Sequence, residues 1–159
     1  MVGTVDQQIE DGISSVLDVV SSDWEHINYD PLLDEITRSL EVHHADHFAL
    51  EHAPNDELWP ALAPRTIAKK GHDRKLVEFA DLLGSLVTDT TNSIRVRAAD
   101  GNGAELIYGT SDHRSAIHQY GAPGANIPKR EHVGMSELFT EDLEFVSTDF
   151  VVAALQVED

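Results

Sequence analysis

Between Ser93 and Tyr108 the hydrophobic period of this chain changes, and that change constrains the fold more than any other feature. Ser93-Ile94-Arg95-Val96-Arg97-Ala98 alternates apolar with polar side chains, residues 104–108 are a second candidate strand, and Asp100-Gly101-Asn102-Gly103 lies between them. Period two sends successive side chains to opposite faces of a strand. A Gly/Asn turn between two such runs is a strong hairpin signal, because glycine adopts positive φ without cost and asparagine does so readily. To either side the spacing returns to three and four. Val5, Ile9, Ile13, Val16, Leu17, Val20 and Trp24 predict an amphipathic helix over about 4–22, and Asn28-Tyr29-Asp30-Pro31 reads as a break. Leu32, Leu33, Ile36, Leu40, His44, His47 and Phe48 predict a second helix to about residue 51, with Pro31 in its first turn and Asp30 as its cap. Pro64-Arg65-Thr66-Ile67-Ala68-Lys69-Lys70 reads as a short helix stopped by Gly71, 76–83 as another, and 114–120 as a third closed by Gly121. Residues 122–126 read as a loop, and 136–155 as a terminal helix through Phe139, Leu143, Val146, Phe150 and Ala154. The order predicts an α+β fold, with helices at both ends packed on a small antiparallel β-sheet whose hairpin lies near 93–109. A length of 159 residues suits a single domain over 1–159. Within it we expect a helical extension at 1–30, a core at 31–135 and a C-terminal helix at 136–159.

Charge is distributed unevenly along this order. The net charge is −18, from 29 acidic and 11 basic side chains. Residues 1–58 carry fourteen acids and one base, Arg38; 59–136 carry eight acids and ten bases; 137–159 carry seven acids and no base. Two acidic ends thus flank a mixed centre. Such a chain is a poor non-specific binder of nucleic acid, which needs Lys and Arg to neutralise phosphate. The absence of cysteine excludes disulfides, zinc–thiolate sites and thiol nucleophiles. No run of apolar residues reaches the ~18–20 needed to cross a bilayer. The first twelve residues have neither the basic start nor the apolar stretch of a secretory signal, so no such leader is expected.

Candidate reactive groups are few. His43 and His47 are four apart and share a helix face, where two imidazoles can hold a metal if a third ligand such as Asp46 or His52 joins them. The run His43-His44-Ala45-Asp46-His47 is not the H-E-x-x-H pattern, and solvated or half-buried histidines on an acidic helix are the simpler reading. His118 lies near Ser115 and Tyr120, yet no G-x-S-x-G is present and no pair of carboxylates stands out for acid–base work. Gly101-Asn102-Gly103 follows a strand without opening a helix, so it reads as a turn and not as a phosphate cradle. Lys69, Lys70, Arg74 and Lys75 read as a solvated or partner-facing loop. No catalytic residue, metal or cofactor is expected.

Several ordered blocks over 48–135 resemble the phage virion morphogenesis family, the tail-completion and neck proteins of tailed phages, including the Mu-like tail protein. The first is Phe48 followed by Leu58-Trp59-Pro60-Ala61-Leu62-Ala63-Pro64-Arg65-Thr66-Ile67-Ala68-Lys69-Lys70-Gly71; the second is Leu76-Val77-Glu78-Phe79-Ala80-Asp81-Leu82-Leu83-Gly84-Ser85-Leu86. The third joins Tyr108-Gly109-Thr110, Ala116-Ile117-His118-Gln119-Tyr120-Gly121 and Ile127-Pro128-Lys129-Arg130. No family pattern is evident in the first thirty residues. The resemblance implies a structural virion protein at the head–tail interface, not an enzyme. It would complete or terminate the tail as part of a homo-oligomeric ring, six-fold favoured, around the DNA channel. Implied partners are the tail tube and neck or connector proteins, with DNA passing through the lumen unbound and no membrane involved. The expected location is the virion neck, after assembly in the host cytoplasm. On this reading Trp59, Pro64, Thr66, Lys69, His118, Gln119, Tyr120, Gly121, Pro128 and Arg130 are structural or interface residues. Trp59 is expected to be a buried anchor for 58–66, and Arg130 to fork onto carbonyls or a carboxylate. The lumen would be lined by acids of the N-terminal helices, Asp6, Glu10, Asp11, Asp34, Glu35 and Glu41, or by Glu137, Glu141, Asp142 and Glu144. Two alternatives are a prophage-encoded adaptor or regulatory protein, and a small His-dependent metal-binding enzyme using His43, His47 and His118.

Overall fold

A computed structural model of the chain describes residues 27–77, 81–100 and 103–156. Among these, five α-helices flank one two-stranded antiparallel sheet, the α+β arrangement predicted above. The elements are α1 (Asp30–Leu50), α2 (Pro64–Lys70), α3 (Asp81–Val87), β1 (Ser93–Asp100), β2 (Gly103–Thr110), α4 (His113–Tyr120), a 3₁₀ turn at Pro123–Ala125, and α5 (Glu137–Gln156). The helix expected over 4–22 lies outside the described residues.

α1 follows its periodicity. Leu32, Leu33, Leu40, His44, His47 and Phe48 are its buried residues. Its start differs by one position from expectation: Tyr29 is the cap, Asp30 is the first helical residue, and the Asn28 side-chain oxygen accepts from the Asp30 N–H at 3.1 Å. Its end is set by Glu51, at φ 57°, whose N–H returns to the His47 carbonyl. α2 stops at Gly71, at φ 75°, as glycine permits.

The helix expected over 76–83 does not open at 76–77, which are not helical, and among the described residues it appears as α3, Asp81–Val87. Glu51 supplies the reason. One of its carboxylate oxygens accepts from the Lys75 N–H at 2.6 Å, and the other pairs with the Lys75 ammonium. The chain is held there in a non-helical course, with Leu76 at φ 55°. The leucines of α3 then face inward. Leu82 and Leu86 join Phe48, Ala53 and Trp59 as one apolar core.

The hairpin is longer than its alternation suggested, pairing from Ser93 with Thr110 to Asp100 with Gly103. Its base is pinned to α3. Arg95 stands opposite Tyr108 with its guanidinium carbon 3.6 Å from the ring centroid. Arg95 donates to the carbonyls of Leu86 (2.9 Å) and Gly109 (3.1 Å), and the Tyr108 hydroxyl donates to Leu86. Residues 96–100 beyond this clamp are exposed.

α5 lies against α1. The Phe139 ring stacks on His43 at 4.0 Å between centroids, and Phe150 lies 6.2 Å from Tyr29.

Candidate functional site

Residues far apart in sequence converge on the segment between α1 and α2. Trp59 is 4% exposed, meets Phe48 edge to face at 5.4 Å, and donates its Nε1–H to the Glu131 carbonyl at 2.6 Å. Arg130, also 4% exposed, donates from Nε to the Pro60 carbonyl (3.0 Å) and from a terminal nitrogen to the Ala61 carbonyl (3.1 Å). The planar fork of arginine reaches two successive carbonyls at once, which an ammonium does not do. Arg130→Lys is therefore expected to lose about 1.5–3 kcal/mol of stability, read by chemical denaturation; a loss under ~0.5 kcal/mol would show that the fork is dispensable.

The other side of the same framework is α4 and the chain after it. Gln119 acts as a side-chain strand partner: its carbonyl oxygen accepts from the N–H groups of His132 (3.0 Å) and Val133 (3.1 Å), and its amide donates to the Val133 carbonyl (2.8 Å). The Arg130 N–H closes on the His118 carbonyl at 2.7 Å. Gly121 has φ 74°, and a Cβ there would lie 2.9 Å from the Lys129 nitrogen, so only glycine fits without displacing backbone. The loop expected over 122–126 contains a 3₁₀ turn closed by a bridge between Ala122 and Ile127.

His132 is fully buried and holds two segments together. Its Nδ1 lies 3.0 Å from the Arg130 carbonyl and its Nε2 lies 3.0 Å from the Ser115 hydroxyl. A carbonyl only accepts, so Nδ1 carries the proton and Nε2 accepts from Ser115. Burial holds this imidazole neutral by lowering its pKa. At the start of α4, Asp112 caps the Arg114 N–H (2.9 Å), and the Arg114 guanidinium spans Asp112 and Asp81. Hydrogen bonding from Arg114 holds the Asp112 carboxyl down to about 2.

Between these two halves lies an open cleft of about 670 Å³. Thr66, His118, Tyr120, Gly121, Pro128 and Arg130 line it, together with Ala61, Leu62 and Ile127. Trp59 and Gln119 brace its walls from outside this lining, while Pro64 and Lys69 are exposed on α2. His118 is half-buried. Burial and then the charge of Arg130 lower its pKa, with His132, Arg114 and Lys70 acting the same way.

A second cluster gathers His43, His44, His47 and His52. The centroids of His43 and His47 are 4.2 Å apart, and those of His47 and His52 are 4.8 Å apart. His44 and His47 are buried, where the sequence reading was of solvated or half-buried side chains. The helix packs their face under Tyr108, Phe139 and the core, so they are removed from water with the leucines. The His44 Nδ1–H donates to the Leu40 carbonyl at 2.7 Å. Buried His43 Nε2, His44 Nε2 and His47 Nδ1 have no hydrogen-bond partner. Burial pushes His44 and His47 down to about 4. Among the described residues no group of three or more His, Asp or Glu side chains is placed to hold a metal ion, and His118 lies in the cleft outside this cluster.

Of the acids proposed to line a lumen, three on α1 carry arginine partners. Asp34 pairs with Arg97 at 2.5 Å, Glu35 with Arg38, and Glu41 with Arg95 at 3.9 Å. Asp6, Glu10 and Asp11 lie outside the described residues. In the basic run, Lys75 is taken by Glu51, and Lys70 donates to the Arg74 carbonyl at 2.9 Å.

The blocks that carried the resemblance therefore build one framework, and the match to known families is wider than those blocks. The pattern of the phage virion morphogenesis family fits residues 4–148. The chain belongs to that family. The family match begins at residue 4, so the first thirty residues do carry its pattern, which the blocks over 48–135 did not reveal. Neither a search of curated proteins nor one of solved structures found a match. Membership assigns the chain a structural or assembly role in building the phage virion. Among the described residues no helix is long and apolar enough to cross a membrane.

Two residues of the framework, Asp112 and His132, were not read from the sequence. Asp112 before α4 carries an ordinary cap signal that could have found it. His132 gave none, because its partners Ser115 and Arg130 are set by tertiary packing.

Proposed function

We propose that the chain completes the tail at the head–tail junction, as one copy of a homo-oligomeric ring around the DNA channel, with six-fold symmetry favoured. One observation supports this most directly. The family-block residues Trp59, Gln119, Gly121 and Arg130 tie backbone to backbone and hold open a cleft at the surface. Such an arrangement suits a part whose work is to present a fixed shape to its neighbours, the tail tube and the neck or connector proteins. The net charge of −18 suits a wall past which DNA slides without sticking. Because Asp34, Glu35 and Glu41 are partnered by arginine, the lumen lining in this proposal falls to Asp6, Glu10 and Asp11, or to Glu137, Glu141, Asp142 and Glu144 of the C-terminal helix.

The test is deletion of the gene from the phage that carries it. Lysates are expected to contain DNA-filled heads and separate tails by electron microscopy. Wild-type virions should contain the chain at a copy number matching one ring. Joined, infectious particles made without the chain, or virions that lack it, would refute the neck assignment.

A further inference from the structure

We propose that the outer face of α5 docks on a second copy of this chain, in that copy's cleft between residues 61–66 and 118–130. The inference rests on the ring reading above and names the two faces that would build the ring.

Leu138, Phe145 and Val152 on α5 are 73%, 67% and 46% exposed. They recur every seventh residue, two helical turns apart, and form a stripe about 21 Å long on one side of the helix. The other side, through Phe139 and Phe150, packs on His43 and Tyr29. A helix with apolar side chains on both sides buries only one of them against its own domain. A contiguous apolar stripe with a polar border marks an interaction surface.

Charge selects the occupant. At 100° per residue, Asp142 and Asp149 border the stripe on one side and Glu141 on the other. None of these three has an ion pair among the described residues, and 137–159 contains no base. A fitting partner therefore offers an apolar hollow ringed by cations. The cleft has that character: Ala61, Leu62, Ile127 and Pro128 form apolar walls, and Tyr120 is 77% exposed at it. Arg130 lines it with its guanidinium on the Pro60 and Ala61 carbonyls, and has no carboxylate partner among the described residues. Arg65 and Lys69 are exposed on the helix that carries Thr66 and form no ion pair among the described residues. A volume near 670 Å³ accepts a phenylalanine ring and its neighbours. The chain's own residues 1–26 are a poorer occupant, since they carry six acids and no base against an acidic helix. Two different faces that fit each other give a head-to-tail contact, the type that closes into rings.

The test uses the full chain in sedimentation velocity at near-physiological salt, with thermal melting in parallel. Wild type is expected to assemble with concentration, and less readily as salt rises. Phe145→Asp and Tyr120→Asp should each weaken self-association by about 100-fold, as loss of a central aromatic anchor does. Both side chains are exposed, so melting temperatures of the monomers should not move. An equimolar mixture of the two variants retains one intact α5 face and one intact cleft, and should form a 1:1 dimer that grows no further. A wild-type chain that stays monomeric at the highest concentration reached overturns the proposal. So does a mixture that fails to pair, or a fall in melting temperature with Phe145→Asp, which would place the chain's own N-terminal segment on α5. If wild type and both variants all form rings, these docking faces are wrong while the ring stands. The ring reading itself fails on the virion experiment.

Discussion

Acidification from about pH 7 to 4 is expected to destabilise this fold by several kcal/mol, through histidines that are buried neutral. His44 and His47 are held at about 4, against 6.5 for an exposed imidazole, because burial disfavours the cation. The unfolded chain thus binds protons between about pH 6.5 and 4 that the folded chain does not. Stability rises with pH across that window, is complete above it, and is lost as pH falls through it. A shift of about 2.5 units corresponds to roughly 3 kcal/mol per group, and the two rings are close enough that their sum will fall short of twice that. Total stability of a domain is only ~5–15 kcal/mol, so this is a large fraction. A competing effect comes from the acid surplus, since protonating carboxylates relieves repulsion. Ordinary carboxylates titrate near 4, so between about pH 6.5 and 5 the histidine effect stands almost alone. Below 4 the depressed Asp112 adds a loss of its own as it protonates. Urea unfolding at a series of pH values reads the effect, and His47→Leu should flatten the slope. A stability that is level between pH 7 and 5 would show that these imidazoles protonate freely in the folded chain.

Trp59→Ala is expected to cost about 3–5 kcal/mol, the range for truncating a buried large aromatic. The indole touches the core through Phe48, and its N–H is the donor to the Glu131 carbonyl. Removing it opens a cavity beside Phe48 and leaves that carbonyl without its donor. The segment that Arg130 grips from the other side would also lose its anchor. Trp59→Phe should recover much of the packing but not the hydrogen bond, and so fall between the two. Equilibrium denaturation of the three proteins decides it. A Trp59→Ala protein within ~1 kcal/mol of wild type would show that 58–66 is held by Arg130 without the ring.

Sequence by itself determined the elements whose causes are local. The periodicity of 30–50, the glycines after α2 and α4, and the Asp-Gly-Asn-Gly turn each act over a few residues. The structure reproduces the helix and its glycine stops within one or two positions and pairs Asp100 with Gly103 on either side of the turn, whose residues 101–102 lie outside the described residues. It also carried the family, because Trp59, Gln119, Gly121 and Arg130 recur as types in fixed order. Tertiary structure alone decided what those residues touch. Trp59 and Glu131 are separated by 72 residues, and Arg130 and Pro60 by 70; no periodicity encodes such pairings. The helix expected from residue 76 does not open there because Glu51 holds the Lys75 backbone, a contact across 24 residues that outweighs local propensity. The histidines show the same division. Spacing placed them on one face of α1, but whether that face met water or Tyr108 and Phe139 depended on how the hairpin and α5 fold back over it. Their neutral, acid-sensitive state follows from that burial and not from their order in the chain.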